Sequence, residues 1–376
     1  MSNHNRPTRY QYRPSILLPA PWDFEAIDRS AVTGAWVVRG VSEGHQILNS
    51  KNFGLDIYDE MEADHAKVHT FMMAPPPSHL TYRRALAMAF RRNVVARMEA
   101  AILDPAACAI AEAAIRRVKA EGSAAFVEEC LWPYQSTVIY RLSGLNRDAG
   151  DELVACFRLL HAASTAPSDH DPRDVLIYVH SRSADILGAA RSRGNGLLPD
   201  ILGTPEITAL NDEEYAMMFL GFFHTLAVRL GNDLPATLLR RIASLAGVQH
   251  ELRRSPALVY GAANEAVRMQ DWGVIPRRVT AGCLVGSKWL CPGDNLFILL
   301  GDAGKDPRVF TEPDTFRPDR PHLNRQLAFG AGEHRCPGAY FARAMAARLA
   351  LAILSRTQRI TLTAWDDGAE RLVLDV

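Results

Sequence analysis

Ten residues, Phe329 to Gly338 (FGAGEHRCPG), constrain this chain more than any other stretch, because they join a glycine-rich turn to a cysteine at the mouth of a helix. Glycines at 330, 332 and 338 let the backbone pass close to something bulky. The run that follows, AYFARAMAARLALAILSRTQ, reads as an Ala-rich helix. Cys336 stands just ahead of it, where free amides and the helix dipole favour a thiolate and therefore a soft metal ligand. Taken alone, a cysteine ahead of an Ala-rich helix is more often a buried core residue. A second Cys-Pro-Gly, at 291 to 293, lies between SKWL and DNLFILL and reads as a tight turn between two short strands.

Other stretches carry partners for such a ligand. SHLTYRRALAMAFRRNVVARMEAAI predicts a helix opening after Ser78, with Leu86, Phe90 and Val94 four apart on one face. His79 and Arg83 share a face of that helix and can clasp a carboxylate. Tyr260 to Gln270 predicts another helix carrying Glu265 and Arg268, followed by TEPDTFRPDRPHL. Helices are also expected over 98–120, 124–143 (kinked at Pro133), 150–163, 174–191 and the apolar stretch 207–239. Short β-like runs with glycine turns occupy the region after Ile275, and Trp36 to Leu48 reads as a strand entering a helix. The pattern is mainly α with a small β region.

Composition narrows the function classes. With 376 residues, 48% of them hydrophobic, the chain can bury a large core. The formal net charge of zero gives no long-range attraction for nucleic acid or an acidic membrane. Six scattered cysteines point to a reducing compartment, hence a cytoplasmic location. The polar, Pro-rich start has no apolar run near the roughly 20 residues of a membrane span.

In this order the blocks resemble the cytochrome P450 family: Pro76-Pro77 before the His79–Arg83 pair, the Glu265–Arg268 pair, Phe316, Pro318 and Arg320, and FGAGEHRCPG. The usual acid of the first block is replaced by Pro75. The resemblance implies one P450 domain over 1–376, with a β-rich portion formed mainly by about 30–60 and 274–300, and haem b ligated by Cys336 in the loop 329–338. His79, Arg83, Arg278 and His334 are then expected to hold the haem propionates, while Arg277 faces water. Glu265, Arg268 and Arg320 become a structural triad, and Phe71, Met72 and Met73 candidate pocket residues. Arg335 and Arg343 would offer a positive patch to a ferredoxin. The implied activity is monooxygenation of a small organic substrate with O2 and electrons from NAD(P)H through ferredoxin and reductase. Peroxide-driven oxidation and oxidative coupling without oxygen insertion are alternatives, as is a non-catalytic haem gas sensor.

The distal helix departs from the family. Its usual [Ala/Gly]-Gly-x-[Asp/Glu]-Thr pattern, in which the acid and alcohol deliver protons for O–O cleavage, is missing from LGFFHTLAVRLGND. One register places His224 and Thr225 at the acid and alcohol positions but puts Phe222 where glycine is wanted; a second places Phe223 and His224 there. Counting without gaps places Ala227 at the small residue and Arg229 at the acid–alcohol site. Thr225, His224 and Arg229 are thus the candidate catalytic residues, with ordered water or the substrate itself as other proton sources.

Overall fold

Apolar residues at helical spacing dominate the chain, and helices dominate the computed structural model, which describes residues 24–55, 78–165, 172–193, 231–270, 273–364 and 370–376. A hairpin of β1 (Ile27–Arg29) and β2 (Trp36–Val38) leads into α1 (Val41–Leu48) and the two-residue β3 (Phe53–Gly54). Next come α2 (Ser78–Ala89), α3 (Arg92–Met98), α4 (Asp104–Glu121), β4 (Ala124–Ala125), α5 (Trp132–Ser143), α6 (Arg147–Thr165) and α7 (Pro172–Arg193). The described chain continues with α8 (Gly231–Ser244), α9 (Ala246–Arg254) and α10 (Val259–Arg268). Strands β5 (Val274–Val279), β6 (Cys283–Val285), β7 (Lys288–Leu290) and β8 (Asn295–Leu299) precede α11 (Ala339–Leu354), and β9 (Arg359–Ala364) with β10 (Glu370–Asp375) closes it.

The helix expected after Ser78 is interrupted: Arg91 is extended (ψ 147°) and caps α3, so α2 and α3 are separate pieces. Leu86, Phe90 and Val94 are nevertheless all buried. Wider π-helical turns at Glu99–Leu103 and Phe126–Leu131 precede α4 and α5. Pro133 therefore falls in the first turn of α5, where its missing amide costs no helical bond.

The first sheet has the order β1-β2-β8-β5-β3. Its pairs are antiparallel except β2 with β8, which run parallel with Trp36 opposite Leu296. Both halves of the expected β-rich portion thus meet in one sheet. A further sheet, β4-β10-β9, was not expected from the sequence; β6 and β7 pair as a hairpin, and the Cys291 turn joins β7 to β8 as expected, although β8 belongs to the first sheet.

Helix α11 runs through the helical core against α4, α8 and α10. Its buried Ala344, Ala346, Ala347 and Ala350 let those helices come close, and Phe341, Leu349 and Ile353 fill the gaps between them. A second apolar cluster, with Val38, Ile47, Ile298, Leu327 and Ala331, lies under the first sheet. The loop before α11 joins the two: Phe329 and Ala339 belong to the helical core, Leu327 and Ala331 to the sheet's.

Candidate functional site: the cysteine loop

The loop is fixed from its own backbone outward. Gly330 and Gly332 adopt φ of 67° and 66°, in the left-handed region that glycine enters without strain. A Cβ on Gly332 would lie 2.0 Å from the carbonyl oxygen of Leu48, so the loop rests directly on the end of α1. One 3-10 turn, Gly332–His334, brings the chain round. The Cys336 amide then donates to the Phe329 carbonyl at 2.8 Å, closing the loop immediately before α11.

Enclosure pushes the Cys336 thiol up from its ordinary pKa, while the Gly338 amide and the charges of Arg83, Arg335 and Arg343 pull it toward thiolate. Arg83, half-buried on α2, is itself lowered by burial, with the nearby cysteine opposing. Among the described residues no Asp or Glu forms an ion pair with Arg83, Arg335 or Arg343. Among the described residues, the charges of three guanidinium groups act on the thiol and no acid is paired with them. A planar, apolar group bearing carboxylates and a soft-ligated metal satisfies that arrangement, and iron protoporphyrin has this character.

Cys291 differs in every respect. It is exposed in the turn between β7 and β8, where its amide bonds Asp294 and Gly293 takes φ 89°.

The remaining expected contacts divide. His334 is half-buried two residues before the cysteine. His79 begins α2, but its side chain lies outside the described residues, as do Phe71, Met72, Met73, His224, Thr225 and Arg229. Arg278 is half-buried on β5, and its Nε donates to Asn295 Oδ1 at 3.0 Å. Arg277, expected to face water, is instead only 5% exposed. Side chains alternate faces along a strand, so Arg277 shares a face with Ile275, whose Cδ1 stands 3.6 Å from where a Cβ on Gly330 would be. The face of β5 turned to the cysteine loop is therefore that of Arg277. Neighbouring arginines on a predicted strand cannot be told apart until the pleat is fixed.

A buried triad joins α10 to the segment that leads toward the loop. Glu265 and Arg268 on α10 are 0% exposed and Arg320 is 5% exposed. Glu265 Oε2 accepts from Arg268 Nε at 2.7 Å, and Oε1 from Arg320 Nε at 2.6 Å. The other guanidinium nitrogens reach carbonyls: Arg268 those of Gly304 and Pro313, and Arg320 those of Thr311, Glu312 and Thr315. Both guanidinium groups thus share one carboxylate and direct their other nitrogens to carbonyl oxygens, hydrogen bonding of the kind that lets buried ions be tolerated.

A helical fold with a cysteine-bearing glycine loop and a buried Glu–Arg–Arg triad is similar to that of haem-thiolate proteins. The sequence model of the cytochrome P450 family matches residues 247–359. Cytochrome P450 109 of Bacillus spizizenii is 26% identical over 321 residues, covering 81% of this chain and 76% of that protein. A steroid C26-monooxygenase of Mycobacterium tuberculosis is 27% identical over 305 residues, covering 77% and 78% respectively. A versatile cytochrome P450 of Bacillus subtilis superposes with TM-score 0.77 at 19% identity, over 93% of this chain and 95% of that one. Over residues 247–359 the chain is similar to the cytochrome P450 family, and its fold is that of the solved cytochrome P450 structures. Among the described residues no helix is long and apolar enough to cross a membrane.

Proposed function

We propose that this protein is a cytochrome P450 monooxygenase that places one oxygen atom of O2 on a small organic substrate, using NAD(P)H electrons delivered through a ferredoxin and its reductase. The observation that carries the reading is the closed loop holding Cys336 between Phe329 and Gly338, on which the charges of Arg83, Arg335 and Arg343 act with no acid paired to them among the described residues. Haem b, when bound, supplies oxygen activation at an iron whose thiolate ligand donates electron density. The chain's part is to hold that group: Cys336 as the ligand, with His79, Arg83, His334 and an arginine of β5 on its carboxylates. Arg335 is exposed beside the loop, and exposed Arg92 lies 5.9 Å from the ring of Tyr340 in the first turn of α11. These charges suit an acidic electron carrier. The steroid-oxidising relative supports an apolar organic substrate.

Replacing Cys336 with Ala should abolish the red-shifted Soret band of the reduced carbon monoxide complex, whereas Cys291→Ala should leave it intact. The opposite result would assign the ligand to the exposed turn. Conversion of the bound haem to its pyridine complex tests haem b.

The missing acid–alcohol pair in LGFFHTLAVRLGND favours one second reading, in which peroxide or the substrate's own groups meet the proton requirement. Product yield with ferredoxin, reductase and NAD(P)H, set against yield with hydrogen peroxide, separates the two. In the same assays Thr225→Ala should uncouple a conventional side-chain relay, and Arg229→Ala should lower substrate affinity if that arginine holds a substrate carboxylate. His224 remains a candidate proton carrier, with a reference pKa near 6.5 suited to the task.

A further inference from the structure

Helix α10 presents a second polar residue, next to Glu265 of the triad, to α11 and to the segment before the cysteine loop. The Asn264 side-chain oxygen accepts from Arg343 Nη1 at 2.9 Å and from Gln326 Nε2 at 2.8 Å. Gln326 Nε2 also reaches the Asn264 backbone oxygen at 3.1 Å, which ties Asn264 to the segment leading into the cysteine loop. Arg343 is otherwise gripped on all sides: its Nε donates to the Ala339 carbonyl at 3.0 Å, and its guanidinium lies 5.6 Å from the ring of Phe329 and 6.0 Å from that of Tyr340.

This guanidinium acts electrostatically on Cys336, and burial, Arg335 and Arg92 all work against its own charge. Its anchor is nonetheless a neutral amide. A carboxylate at 264 would make an ion pair and cancel the field; asparagine fixes the geometry and leaves the charge whole. A fixed positive charge beside a metal centre favours the state with one more electron.

We propose that Asn264 is a positioning residue that holds an unneutralised Arg343 beside Cys336 and thereby raises the reduction potential of the iron bound there. The proposal rests on Cys336 being the iron ligand.

The test is a spectroelectrochemical titration of the haem-loaded full chain and its N264L, N264S, R343L and N264L/R343L variants. N264L and R343L should each shift the iron toward its oxidised form by roughly threefold to tenfold at fixed ambient potential, tenfold being about 59 mV for a one-electron couple. N264S keeps an oxygen acceptor and should stay near the unmodified protein, and the double variant should go no further than R343L alone. An unchanged potential in N264L overturns the proposal, as does an N264L shift that persists at full size when Arg343 is already absent. Should N264L not fold, N264D carries the test: it keeps the anchor and cancels the charge, so a potential equal to the unmodified protein's is the overturning result. Absence of the thiolate-shifted Soret band in the unmodified protein removes the ligand assignment and this proposal with it; where the band is present, the potentials alone decide.

Discussion

Adjacent arginines on one strand make the sharpest residue-scale test. Arg277 lies on the face of β5 that carries Ile275 against the cysteine loop, and Arg278 on the face that meets Asn295. Arg277→Ala should therefore speed haem transfer to a scavenging apoprotein more than Arg278→Ala, by an amount equivalent to about 1.5–3 kcal/mol for one charge-assisted bond. Equal rates in the two variants would remove the distinction. The Glu265–Arg268–Arg320 triad was legible in the sequence because buried ion pairing permits few residue types at few spacings. Arg277 was not, since the phase of a strand is set by its partner, here Leu296 opposite it on β8, and not by its own letters. Asn264 carried no sequence signal: a lone asparagine before an ExxR pair shows nothing of the arginine that meets it from α11.

At the scale of elements, the loop depends on α1 beneath it. Gly332 has both a left-handed φ and a Cβ position 2.0 Å from the Leu48 carbonyl, so Gly332→Ala must move either the loop or the end of α1. We expect it to cost about 1–3 kcal/mol in a urea titration and to accelerate haem loss together with it. Gly338→Ala is the control, because nothing lies within 4 Å of a Cβ there. In the triad, Arg320→Leu leaves Glu265 with less than its full set of donors at 0% exposure, and should lower stability by about 3–5 kcal/mol, read as a shift in urea midpoint. The longer helices were legible from periodicity. The break at Arg91 was not, since α2 and α3 both bury the apolar positions a continuous helix would bury. Nor was β4, whose two alanines become a strand only through pairing with Arg371 and Leu372.

For the whole molecule, acid is expected to act through carboxylates at the sheet side. Arg308 hydrogen-bonds Glu43 and holds its carboxyl below the usual range. Burial alone would raise Asp306, yet bonds from Arg308 and the Val41 amide bring it below its ordinary value as well. A carboxyl depressed in the folded state contributes stability above its unfolded pKa and loses it as pH falls through the folded one. Urea midpoints should thus be flat near neutrality and fall below about pH 4. Arg308→Met should start lower and show a shallower fall, and an acid limb of undiminished slope in that variant would place the titrating groups elsewhere.

The parallel pairing of β2 with β8 carries a consequence for how the protein is made. The first strands leave the ribosome long before the strand that completes their sheet, and the loop that rests on Leu48 follows later still. During synthesis β1 and β2 expose an unpaired edge, a hazard that a chaperone or rapid helix formation must cover. The grip on the cofactor is among the last contacts to form, because it needs α1 from one end of the described chain and α11 from the other. Haem is therefore expected to enter after translation is nearly finished. Under iron limitation, chains should accumulate whose helical and sheet-side cores have each collapsed but are not yet stitched together by the cysteine loop.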